Sequence, residues 1–219
     1  MKKNIQFSII ICCYNSEKYL DETINSILNL NYTNWELIII DDGSIDTTKL
    51  IINKYLNTRN NIKYFFQQNQ GFASARNLGI KKAKFEWIVI IDHDDICLPE
   101  RLNIHNKQII NNEKAKLFFA DTIHFSSENE IIRKNLDIFE MNKIKLNRIN
   151  ASNSLLIYGC FIDSESVVFS KQSALSIGLF NKKYKYLADY EFFCRMGLHY
   201  DFAMTNQILS KWRVHDSQA

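Results

Sequence analysis

The stretch Glu86-Trp87-Ile88-Val89-Ile90-Ile91-Asp92-His93-Asp94-Asp95 is an apolar strand that stops abruptly at three carboxylates. Its first part needs only packing, because a strand buried on both faces reads as an unbroken hydrophobic run. Packing does not account for the second part. Like charges crowded at a strand end repel one another unless a counter-charge or good hydration offsets the repulsion. A divalent cation is the natural counter-charge. Two carboxylates spaced D-x-D can both reach a hard ion, which keeps coordination positions for phosphate oxygens and water. A solvated acidic turn is the plainer alternative for the same residues.

Upstream of this strand, short apolar runs alternate with amphipathic stretches, the pattern of a parallel sheet covered by helices. Phe7 to Cys12 reads as a first strand, and Glu17 to Leu30 as a helix with Leu20, Ile24, Ile27 and Leu28 on one face and Ser16 as its N-cap. Trp35 to Ile40 is a second strand closed by Asp41-Asp42-Gly43-Ser44, Asp46 to Leu56 a second helix, and Ile62 to Gln67 a third strand. Gly71 to Gly79 leads into a third helix. Downstream, Pro99 is expected in the first turn of a helix running through Leu102 and Ile109, and Leu117 to Asp121 as a fifth strand. Thr122 to Leu155 is polar, rich in Asn and Lys and without an assignable period; it is expected to be a variable insert or lid. Ser166 to Phe169 reads as a strand, Lys171 to Ile177 as a helical turn, Asp189 to Met196 as a helix, and Phe202 and Leu209 to Val214 as closing strands.

Ligands of open α/β sheets bind outside the carboxyl ends of the strands. Cys13-Tyr14-Asn15, Asp41 to Ser44 and Asp92 to Asp95 are therefore expected to converge. One acid of the Asp41-Asp42 pair can accept the N–H of a pyrimidine base, although an acid-Gly-Ser turn is also structurally ordinary. Arg76, near a helix start, is placed to pair with phosphate, while a salt bridge is the commoner fate of a single arginine. Asp189 and Glu191 open a helix, where the macrodipole favours negative charge. Capping explains them, and so does service as a general base. His215 stands apart, and the other histidines show no metal-ligand spacing. Neither G-x-G-x-x-G nor a P-loop follows the first strand, which argues against a dinucleotide fold.

Composition fits one soluble α/β domain: 219 residues with 46% hydrophobic content can enclose a core. A net charge of +3 falls short of the concentrated basic character of nucleic-acid binders. The five cysteines, Cys12, Cys13, Cys97, Cys160 and Cys194, form neither a CxxC pair nor a disulfide-like spacing and read as reduced thiols. The N-terminus supports neither a signal peptide nor a membrane span, so a cytoplasmic location is expected.

Taken together these segments resemble the family 2 glycosyltransferases of the GT-A fold, from Phe7 to His215. Ser8 to Asn15 looks like the first strand and its nucleotide loop, and Asp41-Asp42-Gly43-Ser44 like the uridine-binding turn. Gln70-Gly71 with Ala75-Arg76-Asn77-Leu78-Gly79 resembles the following helix entry, and Asp92-His93-Asp94-Asp95 the metal motif, with Pro99-Glu100-Arg101-Leu102 after it. Ser166 to Phe169 and Ile177 to Asn181 look like the acceptor-side strand and loop, Ala188-Asp189-Tyr190-Glu191 like the acidic motif that supplies the base, and Arg213-Val214-His215 like a late arginine-x-histidine element.

The resemblance implies a single GT-A domain over residues 1–219, with a mainly parallel central sheet flanked by helices, a nucleotide-binding half over about 1–121 and an acceptor-side half over about 122–219. It implies inverting transfer of a sugar from a nucleotide diphospho-sugar, a UDP-sugar foremost, with Mg2+ or Mn2+. Asp94 would hold the metal, joined by His215 near the diphosphate. Asp92 would bind ribose or donor-sugar hydroxyls, Asp42 (with Asp41 as second choice) the uracil, and Cys13, Tyr14, Asn15, Gly71 and Arg76 the rest of the nucleotide. Asp189 would take the proton from an acceptor hydroxyl. The acceptor implied is a glycan or lipid-linked molecule of bacterial surface polysaccharide or glycoconjugate synthesis, which brings the enzyme to the inner membrane face as a peripheral protein.

Two departures stand out: Cys12-Cys13 replaces the common Pro-Thr before Tyr-Asn, and Ala188 replaces the frequent Glu before the base. Many relatives continue beyond the histidine element, so the chain is expected to be a catalytic domain of a longer protein. Two rivals remain at this level. A sugar-phosphate nucleotidyltransferase would want a Gly-rich loop after the first strand, where Cys12-Cys13-Tyr14-Asn15 has no glycine. A noncatalytic sugar-nucleotide binding module would bind donor without transferring it.

Overall fold

Strand β1 (Phe7–Cys13) is buried along its whole length, and its alternate residues feed two separate cores. Ile10 and Cys12 point into one, and Phe7, Ile9, Ile11 and Cys13 into the other. This period of two on a strand apolar on both faces makes the sheet the middle layer of three. The computed structural model describes residues 4–126 and 128–216.

Strands β2 (Trp35–Asp41), β3 (Ile62–Phe66) and β4 (Trp87–Asp92) complete a wholly parallel half in the order β3-β2-β1-β4. Helices α1 (Leu20–Leu28), α2 (Thr48–Leu56) and α3 (Phe72–Lys82) link these strands. Leu20, Ile24 and Ile27 of α1 and Ile51 and Ile52 of α2 enter one core, while Ala73, Ala75 and Ile80 of α3 enter the other. Gly79 sets how closely α3 approaches, since a Cβ there would lie 2.6 Å from Ile10 Cγ2.

The second half of the sheet is mixed. After the short β5 (Ile96–Cys97) and helix α4 (Arg101–Asn111), strand β6 (Ala115–Ser126) runs for 12 residues. Beyond it lie β7 (Ile131–Lys134), α5 (Asn150–Tyr158), β8 (Val168–Ser170), α6 (Lys171–Ser176), α7 (Ala188–His199) and β9 (Asp201–Val214). The sheet continues β4-β8-β6-β9-β5, with β7 paired to β6. Strands β4 and β6 are antiparallel to β8, and β9 is parallel to β6. The α/β domain is thus parallel on its first side and mixed on the other. Among the described residues, no helix is long and apolar enough to cross a membrane.

Local expectations needed correction in four places. Helix α1 begins at Leu20, not Glu17, and Ser16 does not cap it: its hydroxyl accepts the Tyr14 N–H (3.0 Å) and its own N–H donates to Thr48 Oγ1 (2.7 Å). Pro99 precedes α4 instead of entering it, and its carbonyl accepts the Asn31 N–H at 3.0 Å. The segment from Thr122 to Leu155 is no irregular lid, because β6 continues to Ser126, β7 pairs back on it, and 3-10 turns at Leu136–Ile138 and Met141–Lys143 lead into α5. The two expected closing strands are one, β9, whose pairing with β6 shifts register around Asp121.

Candidate active site

The registers Cys13↔Asp41 and Cys12↔Asp92 end β1, β2 and β4 at one level, so their loops meet. The Asp42 N–H donates to the Cys13 carbonyl (2.8 Å), and the Asn15 N–H donates to Ser44 Oγ (3.0 Å). The Asn15 side chain returns the contact by accepting the Ile45 N–H at 2.9 Å. The expected convergence of the first two loops is therefore built from hydrogen bonds between them. Gly43, at φ +86, makes the turn possible, since a Cβ would lie 2.8 Å from the Asn69 nitrogen.

Both acids of this turn are buried and engaged. Asp41 accepts from the Ser44 N–H (2.8 Å) and the Tyr64 hydroxyl (3.0 Å). Burial and that neighbouring carboxylate push the Tyr64 phenol up. Asp42 accepts from Gln67 Nε2 (2.6 Å) and from the Gln70 and Gly71 N–H groups (2.9 and 2.8 Å), which fixes the entry to α3. Each carboxylate retains acceptor capacity for a ligand, since an ionised carboxylate offers about four lone-pair sites. The Cys13 side chain faces the core and Tyr14 is 49% exposed. Only Tyr14 of that pair offers its side chain at the surface.

Arg76 departs from its expected place as a phosphate partner. It is fully buried, with Nη2 donating to Asp92 Oδ1 at 3.0 Å and Nη1 in contact with Asp189 Oδ1. Its guanidinium carbon stacks 3.8 Å from the Phe72 ring centroid, and Phe180 stands 5.3 Å away. Two carboxylates and an aromatic face engage the cation internally, as the planar fork of arginine permits, while its Nε has no hydrogen-bond partner among the described residues. The result is a bridge from the end of β4 to the first turn of α7. Asp189 keeps 31% of its side chain exposed and Asp92 21%.

Strand β9 closes the site from the other side. The Arg213 N–H donates to Asp95 Oδ1 (2.8 Å), its Nε to the Asp94 carbonyl (2.9 Å) and its Nη2 to Glu22 Oε2 (2.5 Å). This staple sets His215 against Asp94, with Nε2 and Oδ2 2.9 Å apart. The Tyr19 ring lies 5.0 Å from the imidazole. Asp92, Asp95 and Glu165 contribute carboxylate oxygens that lie within 4.8 Å of one another. Asp95 Oδ2 is buried and has no hydrogen-bond partner among the described residues. Burial, first, and then the neighbouring carboxylates push both the Asp95 and Glu165 carboxyls well up. Oxygen donors crowded in this way fit a hard divalent ion such as Mg2+ or Mn2+, and the Asp94–His215 pair is not among the three residues of this group.

Sequence reasoning missed Glu165, Glu22 and Tyr19. Ser164-Glu165-Ser166 carries no acid-rich or glycine signal that would have marked it, and Glu22 and Tyr19 read as ordinary residues around a helix start.

Residues 8–167 match the profile of the family described as "Glycosyl transferase family 2". The chain belongs to glycosyl transferase family 2. An uncharacterized glycosyltransferase of Rickettsia typhi is 33% identical over 219 residues, covering 96% of this family 2 chain and 64% of the relative. The chain thus spans just under two thirds of that relative's length. Among solved structures, Staphylococcus aureus TarS in complex with UDP-GlcNAc superposes with a TM-score of 0.79 at 21% identity, over 98% of this chain and 60% of that one. The mannosyltransferase PcManGT of Pyrobaculum calidifontis, in complex with GDP-Man and Mn2+, gives a TM-score of 0.73 at 16% identity, over 98% and 59%. At these identities the likeness is one of fold.

Proposed function

We propose that this chain is the catalytic domain of an inverting, metal-dependent glycosyltransferase that moves a sugar from a UDP-sugar to a hydroxyl of a glycan or lipid-linked acceptor. The observation that carries this reading is the Arg76 bridge. It puts the first carboxylate of the D-x-D turn and the acid opening α7 on opposite sides of one buried guanidinium. A donor held at the first and an acceptor deprotonated at the second would then meet across a short gap. Family membership and the UDP-GlcNAc complex of TarS support a nucleotide-sugar donor.

In this reading the uracil lies against the Asp41-Asp42 turn, Tyr14 and Asn15 border the nucleotide, and the Gly71 backbone shapes the loop beneath it. Asp92, oriented by Arg76, accepts from ribose or donor-sugar hydroxyls. Asp94 and His215 would hold a Mg2+ or Mn2+ ion, which would supply the positive charge that stabilises a departing diphosphate. The Asp189 carboxylate takes the proton from the acceptor hydroxyl as that oxygen attacks the anomeric carbon. The new C–O bond forms on the face opposite the breaking bond to the diphosphate, so the configuration inverts. No nucleophile on the protein is needed, which leaves the cysteines without a catalytic role: Cys12, Cys13 and Cys97 are buried, with thiols pushed up by that burial.

The whole protein's acceptor belongs, in this proposal, to bacterial surface polysaccharide or glycoconjugate synthesis at the cytoplasmic face of the inner membrane. The testing experiment is a thermal-stabilisation screen of UDP-, GDP- and dTDP-sugars with and without Mn2+, followed by assay of transfer with the stabilising donor. A ligand that binds only the native state raises the melting temperature. Stabilisation by a UDP-sugar that needs Mn2+ is expected. Metal-independent stabilisation would remove Asp94 and His215 from the scheme, and no stabilisation by any donor would end it.

A further inference from the structure

Between Phe180 and α7 runs the loop Asn181-Lys182-Lys183-Tyr184-Lys185-Tyr186-Leu187, in which every residue from Lys182 onward is exposed. Tyr186 is 72% exposed, Leu187 60% and Tyr184 44%. Both ends are fixed. The Asn77 side chain donates to the Phe180 carbonyl (2.8 Å) and accepts its N–H (2.9 Å), and Arg195 donates to the Ile177 and Leu179 carbonyls at 2.5 and 2.6 Å. At the other end Ala188 is buried, and the Glu191 N–H donates to the Leu187 carbonyl at 3.0 Å. The loop is therefore rooted beside Asp189, the acid that Arg76 ties to Asp92.

The charge of the loop itself sets it apart. Residues 182–187 hold three Lys and no acid, while the wider stretch 137–191 holds seven Lys and Arg against six acids. Glu140 pairs with Lys143 at 2.6 Å and Glu191 with Arg195 at 2.5 Å. Asp163 Oδ2 pairs with His124 Nε2 at 2.9 Å, and Glu165 belongs to the buried carboxylate group. Lys182, Lys183 and Lys185 have no carboxylate partner among the described residues. The Tyr190 hydroxyl donates to the Leu155 carbonyl (2.9 Å), which joins the end of α5 to the start of α7.

Exposed tyrosines offer flat, rigid apolar faces with a polar tip, and lysines are mobile point charges suited to phosphate or carboxylate. Rings that cover a sugar face and ammonium groups that meet an anion together read a charged glycan. A neutral glycan would leave three lysines without a role. A membrane-surface element would project several aliphatic side chains from one face, whereas this loop has one leucine among two tyrosines and three lysines.

We propose that the Lys182–Leu187 loop is the acceptor-reading element and that the acceptor is an anionic glycan, its phosphate or carboxylate groups met by Lys182, Lys183 and Lys185 and a sugar face by Tyr184 or Tyr186. This rests on the reading of Asp189 as the base that receives the acceptor hydroxyl.

The test is affinity gel electrophoresis of the whole chain in gels containing phosphomannan, polygalacturonate or neutral mannan, with vesicles of phosphatidylglycerol as a separate sedimentation arm. Phosphomannan, polygalacturonate or both should retard the wild-type chain, and neutral mannan should not. Added salt should weaken the retardation. The combined variant Lys182→Gln, Lys183→Gln, Lys185→Gln should bind the retarding polymer about tenfold more weakly, as three exposed charge contacts allow, and the pair Tyr184→Ala, Tyr186→Ala should also lose affinity. Equal retardation by neutral mannan, undiminished retardation of the lysine variant, or binding confined to vesicles would overturn the proposal. Stabilisation by UDP with Mn2+, recorded in parallel, reports on fold and donor site. Its absence in the wild type would defeat the donor reading whatever the polymers show.

Discussion

Arg76 meets Asp189 from inside the protein, with its second nitrogen on Asp92 and its plane against Phe72. The acid proposed to accept the proton is thus located by a residue that never touches solvent. Asp189→Asn keeps the shape and the hydrogen-bonding edge while removing the base. Transfer should fall by roughly 10²–10⁴-fold, the usual worth of a positioned general base. Stabilisation by UDP and Mn2+ should survive. A variant that still transfers at the wild-type rate would place the base elsewhere.

Replacing Arg76 itself should act on stability first. Arg76→Gln leaves two partly buried carboxylates facing each other without their cation, which should cost about 3 kcal/mol in a denaturant titration. Arg76→Lys should not rescue it, because one ammonium cannot span two carboxylates and stack on a ring.

For the proposed metal ligands, the readout is the difference between donor stabilisation with and without Mn2+. At a concentration about 100 times its Kd, a ligand contributes about 2.7 kcal/mol, or roughly 5–10 °C in a chain of this size. Asp94→Asn and His215→Ala should each abolish most of the Mn2+-dependent part. If the Asp92, Asp95 and Glu165 group alone held the ion, both variants would retain it.

His105 supplies a pH test away from the chemistry. It is fully buried, and that burial, with Arg101 beside it, brings the imidazole down to about 3. The unfolded chain protonates this side chain near its ordinary value of about 6.5, so between the two values the unfolded state binds more protons. Stability contributed by the neutral ring is complete above about 6.5 and is lost as the pH falls toward 3, reaching a loss of about 2 kcal/mol at pH 5. Comparison of wild type with His105→Gln in denaturant titrations at pH 5 and 7.5 should show a flatter acid limb for the variant.

Gly79→Ala should destabilise the molecule by about 1–3 kcal/mol, since the added methyl meets Ile10 Cγ2 in a packed core. Because α3 carries Arg76, the variant should also weaken donor-dependent stabilisation, measured in the same thermal scans.

Much of this architecture was legible in the chain. The runs Phe7 to Cys12, Trp35 to Ile40 and Trp87 to Ile91 announced parallel strands because each is apolar on both faces, and the acids after the second and third marked the sheet edge where their loops meet. What stayed hidden was set by contacts distant in sequence. Arg101 looks like a helix-surface residue, yet it is fully buried and donates to the Ile90 and Val167 carbonyls at 3.1 and 3.2 Å. The second half of β6 alternates too weakly to read, because His124 is buried by pairing with Asp163 and packing against Trp212, a stabilisation that hydrophobicity does not register. The inward turn of Arg76 depends on Asp189, more than a hundred residues away, and no local pattern encodes it.

Strand β9 has a temporal consequence. Asp94 and His215 lie 121 positions apart, and Arg213's clasp on the Asp94 carbonyl and the Asp95 carboxylate, with the pairing of β9 to β5, brings them together. A nascent polypeptide can assemble the parallel half early, but the proposed Asp94–His215 pair forms only after His215 has left the ribosome and β9 has paired along β6. Ribosomal synthesis therefore presents the parallel half of the sheet before the strand that brings the last of these side chains into place.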